Sequence, residues 1–186
     1  IQYCGKDNLR QQSAMWQAML MAADLPNSKN IIIDGFITGA GGVKMSKSIG
    51  NVTSPLDLLK EYGTDALRYY VAREVHPFED TPFTPESFKE AYNANLANGL
   101  GNLVSRIMKM AESYLASPVD LPTYEFSEDY KNAFAGYELN KAMDLIWFKI
   151  AEADTIITLQ RPFTIWKTDQ EAARVIVIDL VKKLGE

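Results

Sequence analysis

Asn30-Ile31-Ile32-Ile33-Asp34 is a β-branched run closed by a polar residue at each end. Three consecutive isoleucines are stiff at χ1 and suit a strand covered on both faces. On its N-terminal side, Trp16, Met19, Leu20 and Ala23 recur at helical spacing. They predict a helix that runs to Ala23, buries those four residues, and is stopped by Leu25-Pro26-Asn27. The turn Gly5-Lys6-Asp7-Asn8 precedes it, with Asp7 or Asn8 as the expected cap. Ile1 to Cys4 read as the end of a buried strand. Strand, helix and strand in this order form a βαβ unit with a parallel sheet. Ligands of such sheets bind beyond the carboxyl ends of the strands. The Gly5-Asp7 turn and the loop Gly39 to Ser48 both lie at such ends and are expected to face one ligand.

That loop reads Gly39-Ala40-Gly41-Gly42-Val43-Lys44-Met45-Ser46-Lys47-Ser48, followed by Gly50-Asn51. Two lysines among small hydroxyl residues and glycines make a cationic finger. Ammonium groups neutralise phosphate charge, while backbone N–H groups and hydroxyls donate hydrogen bonds to it. The loop lacks the Gly-Lys-Ser/Thr ending of a P-loop and the glycine spacing of a dinucleotide fingerprint.

Downstream, Ser54-Pro55-Leu56-Asp57 is a helix start with a capping serine, proline at the first position and an acid in the first turn. Gly63 ends that helix, and Thr64-Asp65 cap the next, which carries Leu67, Tyr70 and Val71. Proline-rich residues 76–84 read as a linker. From Thr84-Pro85 onward the pattern is helical. Leu96, Leu100, Leu103, Ile107, Met110 and Tyr114 form one buried stripe, and Leu139, Met143, Ile146, Ile150, Ala153 and Ile157 a second. Ser117 to Ser127 join these two helices. Glu171 to Leu184 make a third, apolar at Val175, Ile178 and Val181. The expected fold is an α/β fragment, the C-terminal half of a Rossmann-like parallel sheet, followed by an all-α helical bundle. Its parts are residues 1–75, a linker at 76–84, and a helical domain over 85–186.

Composition narrows the classes. The chain has 186 residues, 47% hydrophobic and 23% charged, as expected of an ordinary globular protein. Its apolar runs fall short of the ~20 residues that span a bilayer, so no membrane association is expected. One cysteine, Cys4, fits a reducing cytoplasm. With that cysteine and one histidine, His76, the chain holds no zinc site of its own. His76 is assigned no role. At a net charge of −5, any nucleic-acid contact must be local. Ile1, not Met, opens directly into a strand, so the chain reads as a piece of a longer protein.

The lysine loop, Tyr62-Gly63-Thr64-Asp65-Ala66-Leu67-Arg68 and the helical half, in that order, resemble class I aminoacyl-tRNA synthetases, whose second signature is Lys-Met-Ser-Lys-Ser. Further stretches resemble the methionyl-tRNA synthetase family. They are Gly5-Lys6-Asp7 with Trp16-Gln17-Ala18-Met19-Leu20, then Asp34-Gly35-Phe36-Ile37-Thr38, then Asn93 to Asn98 running into Asn102-Leu103-Val104-Ser105-Arg106. The resemblance spans almost the whole chain and weakens after residue 160.

The resemblance implies ATP-dependent activation of methionine to methionyl-adenylate and transfer to tRNA(Met), with Mg2+ accompanying the nucleotide. It implies that Lys47 and Lys44 stabilise the leaving pyrophosphate, with Met45, Ser46 and Ser48 completing the loop. Gly5 and Asp7 lie beside the adenylate, and Asn8 and Gln12 in the methionine pocket. Asn102 and Arg106, on one helical face with Asn95 and Asn98, read the anticodon, and Phe163 or Trp166 stacks on one of its bases. The family's first signature, His-Ile-Gly-His, and its zinc-bearing insertion do not occur. The remaining N-terminal part of a synthetase is therefore an expected partner, zinc is expected only in that part, and the fragment alone is expected to be inactive. Gln11-Gln12, Asn8, Gln17 and Asp34 depart from the family's usual residues, which bears on amino-acid selectivity. The alternatives are a non-catalytic tRNA-binding module derived from a class I synthetase and a synthetase for another amino acid.

Overall fold

A computed structural model of the protein describes residues 1–46, 48, 50 and 52–186. The chain divides into two units, residues 1–88 with 133–140, and residues 89–132 with 141–186.

In the first unit, β1 (Gln2–Gly5) pairs in parallel with β2 (Ile31–Asp34), with Gln2 opposite Ile31 and Gly5 opposite Asp34. Parallel pairing requires a long crossover between them, and here it is helical. It begins with a 3-10 turn (Lys6–Asn8), passes through a π-helical segment (Gln11–Met15) and ends in α1 (Trp16–Ala22). None of these segments starts with a side-chain cap, so the expected capping by Asp7 or Asn8 is corrected. The expected burial of this helix is corrected too. Trp16 is 41% and Met19 60% exposed, and Leu20 is only half-buried. A sheet of two strands offers too little area to cover that face. The Gln17 side chain ties α1 to the strands, donating to Gln2 Oε1 at 3.0 Å and accepting from the Ser28 N–H at 2.9 Å.

Residues 76–84 are no free linker. The short β4 (Thr81–Pro82) pairs in parallel with β3 (Ile37–Thr38). The Thr81 N–H donates to the Phe36 carbonyl at 2.9 Å, and the Phe83 N–H to the Thr38 carbonyl at 2.8 Å. Pro82, between them, has no N–H to give, and its place in this pair demands none. His76 Nδ1 accepts the N–H groups of Phe78 and Glu79, at 3.2 and 3.0 Å, and so shapes the turn before β4. A Cβ on Gly35 would lie 2.1 Å from the Glu79 carbonyl oxygen, so only glycine lets these backbones approach.

After the lysine loop, Ser54 adopts the extended cap conformation and Pro55 opens α2 (Pro55–Tyr62), without a side-chain capping bond. The next helix, α3 (Thr64–Arg73), buries Ala66, Tyr69 and Tyr70, whereas Val71 is exposed. Tyr70 packs edge-on to Phe83 at 5.5 Å and against Phe88 of α4 (Pro85–Ala91) at 5.0 Å. Phe88 is 1% exposed and centres the aromatic core of this unit.

The second unit is helical. A π-helical segment (Tyr92–Gly101) leads into α5 (Asn102–Tyr114). Cβ atoms on Gly99 and Gly101 would sit 3.1 and 2.9 Å from the carbonyls of Ala94 and Leu96, five residues earlier. That offset is the hydrogen-bond spacing of a π-helix, and glycine relieves its crowding. A further helix, α6 (Glu128–Ala135), follows Ser127, whose Oγ accepts the Tyr130 N–H at 3.2 Å. It divides the expected junction from α7 (Leu139–Gln160). Then come α8 (Pro162–Ile165) and α9 (Gln170–Gly185), the latter capped by Asp169.

Leu103 and Ile107 of α5, Ala153 and Ile157 of α7, and Leu180 of α9 share one core. The α5 stripe is borne out at its centre, where Leu103 and Ile107 are buried, and the α7 stripe at its C-terminal end, where Ala153 and Ile157 are buried, while Leu139 is exposed. On α9 the expected face is corrected in part: Val175 is 61% exposed, Val181 packs against the shared core as expected, and Ala173, Val177 and Leu180 are buried. Apolar residues lie all round this helix, so periodicity alone did not choose its inner face.

The Gly35→Ala substitution is expected to lower stability by about 1–3 kcal/mol, because the Glu79 carbonyl is backbone and cannot step aside as a flexible side chain would. A urea titration that leaves the midpoint of the first unit unchanged would contradict this.

Candidate functional site

The carboxyl ends of β1 and β2 carry a small polar constellation around one ring. The Lys6 ammonium lies 4.7 Å and the Lys44 ammonium 4.8 Å from the Phe36 ring centroid. Two cations thereby share the negative faces of one aromatic ring. Lys6 also pairs with Asp80 at 2.5 Å, and the same carboxylate accepts the Phe36 N–H at 2.8 Å. Lys6 comes from the turn after β1 and Lys44 from the glycine loop. Their meeting at Phe36 brings together the two segments expected to share a ligand.

Within the loop, the Gly39 N–H donates to the Val43 carbonyl at 2.7 Å, and Lys44 pairs antiparallel with Thr38. Gly41 and Gly42 make this reversal at φ of 68° and 76°, which other residues rarely adopt. Ser46 organises the next turn: its Oγ lies 2.7 Å from Ser48 Oγ and accepts the Ser48 N–H at 3.3 Å, and its carbonyl accepts the Gly50 N–H at 3.1 Å. Met45 and Ser46 are half-buried, whereas Lys44 and Ser48 are exposed. Lys47 lies outside the described residues.

Gly5 serves Asp7 directly, since a Cβ there would lie 3.0 Å from Asp7 Oδ1. Asp7 is exposed, and its Oδ1 accepts from the Asn8 amide at 3.3 Å. Asn8 is exposed and Gln12 half-buried, about one turn apart in the crossover. Burial pushes the Asp34 carboxyl up, at the end of β2. At Asp80 the Lys6 hydrogen bond, followed by the Phe36 N–H, holds the carboxyl below the usual carboxylate range. Among the described residues no group of three or more His, Cys, Asp and Glu side chains is placed to hold a metal ion.

In the second unit, Asn95, Asn98, Asn102 and Arg106 line one cavity of about 290 Å³ with Trp147 and Asp154. The π-helical segment and α5 thus turn the predicted polar stripe toward a common space. Arg106 Nη1 donates to Asp154 Oδ1 at 2.7 Å, with both side chains partly exposed. The two candidate aromatics differ. Trp166 stacks on Tyr114 at 4.0 Å with rings 5° apart, and the Arg174 guanidinium lies 5.5 Å from its centroid. Phe163, at the start of α8, is 49% exposed.

Sequence reasoning missed Lys6, Asp80 and Asp154 as partners. Asp80 stood in a supposed linker, and Asp154 is 48 residues from Arg106, so no local pattern links them. The only hint at Phe36 was its place in the quoted stretch after β2.

A family model described as tRNA synthetases class I (M) matches residues 1–108, more than half of the chain. The chain belongs to this family. Methionine–tRNA ligase 1 of Bacillus cereus is 35% identical over 185 residues, covering 92% of this chain and 28% of the relative. Methionine–tRNA ligase of Clostridium acetobutylicum is 37% identical over 200 residues, covering 97% and 30%. The Mycobacterium tuberculosis methionyl-tRNA synthetase in complex with methionyl-adenylate superposes with a TM-score of 0.77 at 27% identity, over 97% of this chain and 38% of that one. This member of the class I synthetases therefore spans about three tenths of the length of the curated relatives it matches. Among its described residues no helix is long and apolar enough to cross a membrane.

The opposite shifts of two carboxyls are directly measurable. In a carboxyl NMR titration Asp80 should titrate below, and Asp34 above, the ordinary range, and Lys6→Gln should return Asp80 toward it. Asp80 ionised is bonded in the folded state, so its contribution is complete above the ordinary carboxylate pKa and fades as pH falls through its depressed one. Asp34 has the reverse sign: stability falls as pH rises from the ordinary value through its raised one. An Asp80 titration unmoved by Lys6→Gln would remove the ion pair from this account.

Proposed function

We propose that the chain supplies the second half of the ATP site and the anticodon-reading helices of a methionine–tRNA ligase. The observation that carries this reading is the meeting of Lys6 and Lys44 at Phe36, in a chain of this family. Residues 1–75 act as the C-terminal part of a Rossmann-like catalytic domain, and residues 85–186 as an anticodon-binding domain.

In the first step a methionine carboxylate oxygen attacks the α-phosphorus of ATP. That P–O bond forms as the bond to the β-phosphate bridging oxygen breaks, and pyrophosphate leaves with its charge. Lys44 and Lys47 stabilise this developing charge, which fixed cations do more effectively than mobile solvent. Ser46, through its hydrogen bonds to Ser48 and Gly50, steadies the loop beside Lys44. Asp7, tucked against Gly5, accepts hydrogen bonds from ribose hydroxyl or substrate ammonium groups. Asn8 and Gln12 face the methionine side chain. In the second step the terminal ribose hydroxyl of tRNA(Met) attacks the activated carbonyl and AMP leaves.

The cavity holding Asn95, Asn98, Asn102 and Arg106 suits an unstacked base, because amides and guanidinium pair with base edges in a plane. Of the two aromatics, Phe163 is favoured as the stacking ring, since Tyr114 already occupies a face of Trp166.

The test is made in the intact protein that carries this chain. Lys47→Ala is expected to slow methionine-dependent ATP–pyrophosphate exchange by about 100-fold or more. Arg106→Ala should weaken tRNA(Met) binding by about tenfold or more. Exchange that persists at the wild-type rate in Lys47→Ala would sink the ATP-site assignment. Phe163→Ala should weaken tRNA binding, whereas Trp166→Ala should chiefly lower the unfolding temperature. The reverse pattern would transfer the stacking role to Trp166.

A further inference from the structure

The ion pair between Arg106 and Asp154 spans the polar cavity of the second unit, and neither the family resemblance nor periodicity accounts for it. Arg106 stands on α5 one turn beyond Asn102, whereas Asp154 projects from α7 on the other wall. The bond, at 2.7 Å, engages Nη1 alone. A guanidinium carries five N–H donors in a rigid fork, so holding one corner orients the rest. A lone arginine at a cavity mouth would sample many rotamers and any nearby phosphate. Tethered to a carboxylate, it offers a planar edge of fixed direction with its net charge offset.

We propose that Asp154 is a positioning residue: it locks the Arg106 guanidinium so that its unused donors present an edge to a nucleobase entering the cavity. This rests on the reading of that cavity as a base-binding site. Asn102 and Asn98, exposed on the same wall, complete the edge-reading set. Trp147 closes the cavity from α7. Because both partners are partly exposed, the tether orients more than it stabilises, and its loss should be felt in binding more than in folding.

The experiment is a double-mutant cycle on tRNA(Met) affinity in the intact protein, using Arg106→Ala, Asp154→Ala and the pair, with thermal unfolding recorded for each. Asp154→Ala is expected to weaken binding by about fivefold with little change in unfolding temperature, and to cause no further loss once Arg106 is alanine. Asp154→Asn keeps an oxygen acceptor without the charge and should fall between. It also decides the matter should the alanine variant fail to fold. Unchanged or tighter binding by both Asp154 variants would overturn the proposal, as would an equal loss with and without Arg106. If Arg106→Ala itself leaves tRNA binding intact, the base-site reading falls and the tether falls with it. If only Arg106→Ala weakens binding, the base-site reading stands and the tether is rejected.

Discussion

Gly35 has no Cβ, and the Glu79 carbonyl occupies the space one would need. Through that approach the turn at residues 77–80 lies against the strand end at 34–36. The Gly35 N–H then reaches the Pro77 carbonyl at 3.3 Å, and the Asp80 carboxylate reaches the Phe36 N–H. Once Asp80 is there, Lys6 has an anion to pair with. Phe36 is held as a platform beneath two ammonium groups. β3 and β4 then continue the same alignment with two backbone hydrogen bonds. A backbone contact between segments more than forty residues apart in sequence therefore sets the geometry of the cationic site.

The second unit uses a similar device on a helix. Gly99 and Gly101 accept the carbonyls of a π-helical segment, which alters the helical phase just before Asn102. The core positions Leu103 and Ile107 keep their inward direction, while the asparagines and Arg106 share a cavity. Core and polar site are thus built on one element. Its apolar side is held by α7 and α9, and its polar side is oriented by Asp154.

Much of this was legible in the chain. Ile31 to Ile33, the Gly5-Asp7 turn and the glycine-flanked lysines already implied parallel strands with a phosphate-friendly loop at their ends. The stripes through Leu103, Ile107, Ala153 and Ile157 appeared at the right spacing. The misreadings share a cause. Trp16 and Met19 have core-like spacing, but spacing gives no measure of how much sheet is present to cover them. Val175 to Ile178 are all apolar, so α9 had no distinct face until Leu180 met Leu103 and Ile107. Residues 76–84 carried turn signals, and turn signals do not say whether a turn is packed.

By itself the sequence determined the local preferences: strand or helix, where the chain reverses, and which residue types stand ready for phosphate and base. Those follow from φ/ψ sterics, side-chain branching and helical period, which act over a few residues. Only the tertiary structure decided which partners those residues meet. Asp80 for Lys6, Tyr114 for Trp166 and Asp154 for Arg106 are each brought together from distant parts of the chain by packing. No periodicity encodes such a pairing, because it depends on how whole elements bury their apolar faces.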